Sequence, residues 1–184
     1  MGDSLSAEYG LQRGQGWVAL MQARLKEQHL DYSVVNASIS GETTSGGWQR
    51  LPAALVQNKP AVVIIELGSN DALRGLALDA SHTNLESMIT ASRKAGAKVL
   101  LIGMQIPPNY GRDYTEKFKA LFPDLARRYK IALVPFLLEG IAEKQEMFQA
   151  DGLHPLAQAH PRILDNVWPA LEPLLKVPAK RPKH

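Results

Sequence analysis

The chain has 184 residues, 45% of them apolar and 21% charged, which fits one folded domain with a substantial core and excludes a low-complexity chain. Its formal charge of +3 sits at the end: residues 176–184 hold Lys176, Lys180, Arg181 and Lys183 and no acid, and taking those four from 21 basic residues leaves 17 against 18 acids, which argues against a nucleic-acid surface on the body. Without cysteine there is neither a disulfide framework nor a thiolate metal site, and no apolar run has the length of a membrane-spanning helix.

In chain order, Trp17, Leu20, Met21 and Leu25 recur at helical spacing and predict an amphipathic helix. The run Tyr32 to Val35 predicts a short strand that delivers Gly41 to a turn. Trp48, Leu51 and Leu55 mark a second helix, closed by Pro60, and Ala61 to Leu67 reads as a strand covered on both faces. Leu85, Met88 and Ile89 mark a third helix with a stop at Gly96, followed by the buried-type strand Val99 to Met104. A loop from Ile106 to Arg112, rich in proline, glycine and asparagine, leads to a helix through Phe118, Leu121, Phe122 and Leu125. The strand Ile131 to Phe136 follows, then a helix from about Ala157 to Leu174 that Pro169 should bend or split. Such alternation predicts a parallel sheet with helices on both faces and a ligand site beyond the carboxyl ends of the strands. The domain is expected over 1–175, with 176–184 a basic, disordered tail.

Chemistry concentrates in a few short segments. Gly2-Asp3-Ser4-Leu5-Ser6 places a serine in a small, tight segment. Far downstream, Asp151-Gly152-Leu153-His154-Pro155 puts a carboxylate three residues before an imidazole, close enough to orient the ring and compensate its positive charge. A serine hydroxyl is a poor nucleophile until a base takes its proton, and His154 is the candidate base. Serine, aspartate and histidine together point to acyl transfer. His29, His82, His160 and His184 have no such neighbours and read as exposed or partly packed residues.

Two further segments, Asn36-Ala37-Ser38-Ile39-Ser40-Gly41 and Gly68-Ser69-Asn70-Asp71, complete a four-block pattern in order. The chain thereby resembles the SGNH, or GDSL, hydrolase family, and within it the bacterial thioesterase I/lysophospholipase L1-like (arylesterase) branch. Val34 to Gly41, Arg50-Leu51-Pro52-Ala53 and Pro108-Asn109-Tyr110-Gly111-Arg112 carry the closer likeness, which runs from Gly2 to about Leu175. The resemblance implies a three-layer α/β/α sandwich of flavodoxin-like winding, with Ser4, Asp151 and His154 catalytic. It assigns the oxyanion hole to the backbone N–H groups of Ser4 and Gly41 and the side-chain amide of Asn70. In the family a central strand precedes the serine block, whereas here Met1 stands directly before Gly2. That first strand is therefore expected to be missing, with an upstream start that would also carry the signal peptide of a periplasmic or secreted protein. As written, the chain reads as cytoplasmic.

The activity so implied is hydrolysis of acyl esters and thioesters through an acyl-enzyme, with a small-molecule substrate, no cofactor, no metal, no nucleic acid and no membrane span. A carbohydrate acetylesterase and a catalytically silent acyl- or glycan-binding domain remain as alternatives. Leu73, Leu76, Ile106, Pro107 and Tyr110 are the candidate acyl-binding residues, with ordinary loop packing as the alternative. Asp3 is read as a local hydrogen-bonding group and Asp71 as a loop-shaping one. The chain is expected to be a monomer, or a strand-exchanged oligomer if the first strand is truly absent.

Overall fold

The apolar runs at 61–67, 98–104 and 131–136 form the sheet, because β-branched and aliphatic side chains alternating across a pleated surface can be buried on both faces at once. In the computed structural model, which describes residues 1–175, they give β1 (Val62–Ile65), β2 (Lys98–Ile102) and β3 (Ala132–Val134). All three are parallel in the order β1-β2-β3, with Val62 opposite Lys98, Ile65 opposite Leu101 and Ile102 opposite Val134. Parallel neighbours need long crossovers, and helices supply them.

Those helices are α1 (Trp17–Glu27), α2 (Thr44–Asn58), α3 (Ser69–Leu73), α4 (Leu78–Lys94), α5 (Arg112–Tyr129) and α6 (His160–Leu175). One group, α1 with α6, covers β2 and β3 through α6; α4 and α5 pack on the same strands, with α2 laid over α4. The result is three layers around a core that includes Trp17, Leu51, Met88, Phe118 and Phe122. Helix α6 runs unbroken through Pro169 and Pro173, so the expected split at Pro169 does not occur. Its buried face of Ile163, Leu164, Val167, Trp168, Leu171 and Leu175 outweighs the hydrogen bonds the prolines cannot donate.

The strand expected at Tyr32 to Val35 does not form. A strand exists only beside a ladder partner about 4.8 Å away, and here side chains replace that partner. Gln22 accepts from the Val34 N–H at 2.7 Å and donates to the Tyr32 carbonyl at 3.3 Å, while the Tyr32 hydroxyl donates to the Leu175 carbonyl at 2.7 Å. Between this segment and β1 lies a cavity of about 410 Å³ lined by Met21, Tyr32, Val34, Val62, Ile64 and Leu171, among others.

At the upper end of that cavity the chain begins. The Met1 amino group donates to the Ile64 carbonyl at 3.0 Å, the Glu66 N–H donates to the Met1 carbonyl at 2.9 Å, and Gly2 forms an isolated parallel bridge with Glu66. Burial lowers the pKa of this amine to about 6. Met1 and Gly2 thus occupy one rung of a fourth strand on the edge of β1, and this rung delivers Ser4 to the carboxyl end of the sheet.

Candidate active site

The site begins with a steric requirement at Gly2. A Cβ there would stand 2.8 Å from Glu66 Oε2 and 2.9 Å from both Ser38 Oγ and Ser6 Cβ, so a side chain at this position would force those neighbours to shift. Beyond Gly2 the chain turns at once: the Ser6 and Ala7 N–H groups donate to the Asp3 carbonyl at 3.2 and 3.0 Å, and the Leu5 N–H donates to Asp3 Oδ1 at 3.0 Å. Ser4 rides on that turn, half-buried.

His154 meets it from 150 residues away. Its Nε2 lies 2.8 Å from Ser4 Oγ and its Nδ1 lies 2.7 Å from Asp151 Oδ2. With the proton on Nδ1 facing the carboxylate, Nε2 presents a lone pair to the serine, which is the tautomer a general base needs. Asp151 is held by the N–H groups of His154 and Leu153, at 3.0 and 2.9 Å on Oδ1. Those backbone donors, followed by the imidazole, pull its pKa down to about 2. The loop is closed by the Phe148–Pro155 antiparallel bridge and by the Gln149 N–H donating to the His154 carbonyl at 2.7 Å.

The other two blocks converge on the same place. Asn36 Nδ2 donates to the Ser6 carbonyl at 2.7 Å, and the Ile39 N–H donates to the Gly2 carbonyl at 3.0 Å. Gly41 has φ +80°, a left-handed conformation that an L side chain would strain. Asn70 lies in α3, and its Nδ2 donates to the Glu42 carbonyl at 3.0 Å and to Asp3 Oδ2 at 3.2 Å. Asp71 points the other way, taking the Thr44 N–H at 2.9 Å, the Thr44 hydroxyl and the Ser81 hydroxyl at 3.1 Å. It ties the start of α2 to α4, a loop-shaping role as the sequence suggests. Among the described residues no group of three or more His, Asp or Glu side chains converges as a metal site would require, and no helix is long and apolar enough to cross a membrane.

Several residues at the site lie outside the four motif blocks. Tyr9 sets its ring 4.3 Å from the His154 ring, centroid to centroid. Arg74 donates to the Gly41 carbonyl at 3.0 Å, and Arg50 braces the same loop through Glu42 at 2.8 Å and the Ala37 carbonyl at 3.1 Å. Glu66 is buried beneath the serine turn, where Oε2 accepts from the Asp3 N–H at 3.2 Å and the Ser6 hydroxyl at 2.7 Å. Of these, only Arg50 stood in a segment that the family likeness marks, and its contacts were not legible from that segment.

The five candidate acyl-binding residues follow β1 and β2, Leu73 at the end of α3 and the other four on the loops and turns beyond. Leu76 and Tyr110 are exposed, Pro107 is exposed, and Leu73 and Ile106 are half-buried, with Ile106 against the core. The Tyr114 hydroxyl donates to the Leu76 carbonyl at 2.7 Å, linking α5 to the turn after α3. The 410 Å³ cavity is lined by none of the five and by neither Ser4 nor His154. His160 corrects an expectation: it is buried, not exposed or partly packed, because its Nδ1 accepts the Trp17 N–H at 3.0 Å and so satisfies a donor at the start of α1. Burial lowers its pKa. His29 is exposed and His82 half-buried; His184 and the tail at 176–184 lie outside the described residues.

The pattern of the GDSL-like Lipase/Acylhydrolase family matches residues 1–162. The chain belongs to this family. It is 57% identical over 175 residues to "Esterase TesA" of Pseudomonas aeruginosa, covering 95% of this chain and 87% of that protein. It is 41% identical over 175 residues to "Thioesterase 1/protease 1/lysophospholipase L1" of Escherichia coli K12, covering 95% of this chain and 83% of that one. The crystal structure of TesA superposes with a TM-score of 0.91 at 57% identity, covering 94% of this chain and 96% of that chain. Family membership and the joined Ser4, His154 and Asp151 side chains make the chain an SGNH-type ester hydrolase.

Proposed function

We propose that the chain hydrolyses medium to long acyl esters and thioesters through an acyl-enzyme on Ser4, and that the observation carrying this reading is the 2.8 Å contact of Ser4 Oγ with an imidazole oriented by Asp151. Ser4 Oγ attacks the acyl carbon as its proton passes to His154 Nε2, and Asp151 compensates the imidazolium. The carbonyl oxygen gains charge as its double bond opens, and the N–H groups of Ser4 and Gly41 with the Asn70 amide face that charge. Collapse breaks the bond to the alkoxide or thiolate, which takes the proton from His154. Water then attacks the acyl-serine with His154 again as base, and Ser4 recovers its proton as the carboxylic acid leaves.

All three catalytic side chains come from one chain, so a monomer suffices for this chemistry. The exposed apolar Leu76 and Tyr110 favour an acyl chain over an acetyl group. The names of the relatives, an esterase and a thioesterase/lysophospholipase, support both ester and thioester substrates. The test is hydrolysis of p-nitrophenyl esters from acetyl to octanoyl by the chain and its Ser4→Ala variant. Ser4→Ala should abolish turnover, and kcat/KM should rise with chain length by up to roughly 0.8 kcal/mol for each fully buried methylene. A preference for acetyl would support the carbohydrate acetylesterase reading, and turnover unchanged in Ser4→Ala would remove the nucleophile.

A further inference from the structure

A side-chain amide is nearly symmetric in shape, so its neighbours alone decide which end is nitrogen. For Asn70 the two neighbours are a carboxylate oxygen, Asp3 Oδ2 at 3.2 Å, and a backbone carbonyl, Glu42 O at 3.0 Å. Neither can donate from an ionised carboxylate or a carbonyl, and both therefore require nitrogen to face them. The orientation matters because a rotated amide would turn its oxygen toward the developing oxyanion, replacing attraction by repulsion. Glu42 O is fixed by the backbone, whereas Asp3 is a side chain whose contribution can be removed.

Asp3 is built to hold still. It is buried, its Oδ1 takes the Leu5 N–H at 3.0 Å, and its own N–H is held by Glu66 at 3.2 Å. Its two oxygens thus serve two separate donors, one in the serine turn and one on Asn70. We propose that Asp3 is a positioning residue for the oxyanion hole, fixing the Asn70 amide with its nitrogen toward the reacting carbonyl while the same carboxylate shapes the turn that carries Ser4. The bond to Asp3 is the longer of the two. The bond to Glu42 O, whose acceptor is fixed by the backbone, holds the other hydrogen of the same amide.

This inference rests on Asn70 serving as an oxyanion donor, and the experiment separates the two claims. Asp3→Asn keeps the size of the side chain but leaves one oxygen for two donors, so an NH₂ must oppose either Asn70 or Leu5. Asp3→Ala removes the acceptor without introducing a rival donor. If Asp3 positions the amide, Asp3→Asn lowers kcat by about 10- to 100-fold with KM changed less than about twofold, and Asp3→Ala is the milder of the two. A purely structural role for the turn gives the reverse order, because alanine offers Leu5 no acceptor at all. In an Asn70→Ala background each substitution should cost less than it does alone, because the share that passes through Asn70 is already lost and only the turn's share remains; losses that multiply in full would overturn the proposal. Asn70→Ala alone should lower kcat about 10²- to 10³-fold; if it is neutral the oxyanion assignment fails and the positioning role with it, whereas full multiplication beside a deficient Asn70→Ala overturns the positioning role alone. Circular dichroism checks folding. If Asp3→Asn does not fold, Asp3→Ala with and without Asn70→Ala decides the question by the same additivity.

Discussion

At the scale of single residues, the most unusual group is Glu66, a buried carboxylate at the last rung between Met1 and β1. Its Oε2 has two donors, but its Oε1 is buried with no hydrogen-bond partner among the described residues. Loss of solvation, then the nearby Asp3 carboxyl, hold its pKa well above the usual carboxylate range, and burial raises that of Asp3 to about 6. An acid whose pKa is raised on folding binds more protons folded than unfolded, so its ionisation destabilises the fold as pH rises from the unfolded value through the folded one. Glu66→Gln keeps the shape and the acceptor for Asp3 and Ser6 but cannot ionise. The variant should therefore gain in thermal midpoint over the parent, and the gain should be larger at about pH 8 than at about pH 5. A variant less stable at both pH values would mean that the buried amide NH₂ costs more than the carboxylate it replaces. The Met1 amine titrates in the opposite sense, with a pKa lowered by burial to about 6 that favours folding as pH rises between about 6 and 8.

At the scale of elements, helices and strands differ in how far a local pattern determines them. Helices α1, α4 and α5 bury the residues their 3.6-residue spacing marks, such as Trp17 and Met21, Leu85 and Met88, Phe118 and Phe122. The run Tyr32 to Val35 has strand-forming residues and no strand, because strand formation is a property of the pair and the edge it needs is faced by a cavity. The short helix α3 escaped notice for the opposite reason: five residues starting at Ser69 are too few for a periodic signal, and their Gly-Ser-Asn-Asp composition reads as loop. The edge of β1 yields a direct test. An engineered chain with about five valine and isoleucine residues joined ahead of Met1 would run parallel to β1 through the cavity, since about 3.3 Å per residue spans an edge of this length. Its thermal midpoint should rise, the buried apolar area contributing on the order of a few kcal/mol. An unchanged midpoint, with the added residues cut readily by protease, would show that the cavity does not accept a strand.

At the scale of the whole molecule, the four motif blocks were legible in the sequence as a set, and the structure brings Ser4, Gly41, Asn70 and His154 to one end of the sheet. What the blocks did not reveal is the bracing between them, because each brace is an ordinary side chain whose partner no local pattern marks. Gln149 is the clearest case. Its Nε2 donates to the Tyr9 carbonyl at 2.9 Å and to the Pro155 carbonyl at 3.3 Å, so one amide joins the segment after Ser4 to the segment after His154. Neither contact touches Ser4 or His154, yet together they set the separation of the two, and proton transfer is sensitive to that distance. Gln149→Ala should therefore lower kcat by about 3- to 30-fold, with KM little changed, while the core keeps its stability. Hydrogen exchange should quicken in 145–156 and 7–12 and remain unaltered in β2 and α5, where the packing is independent of that bridge. If exchange instead quickens throughout, Gln149 supports the fold as a whole. If it changes nowhere and kcat holds, the backbone bridge from Phe148 to Pro155 fixes the His154 loop without it.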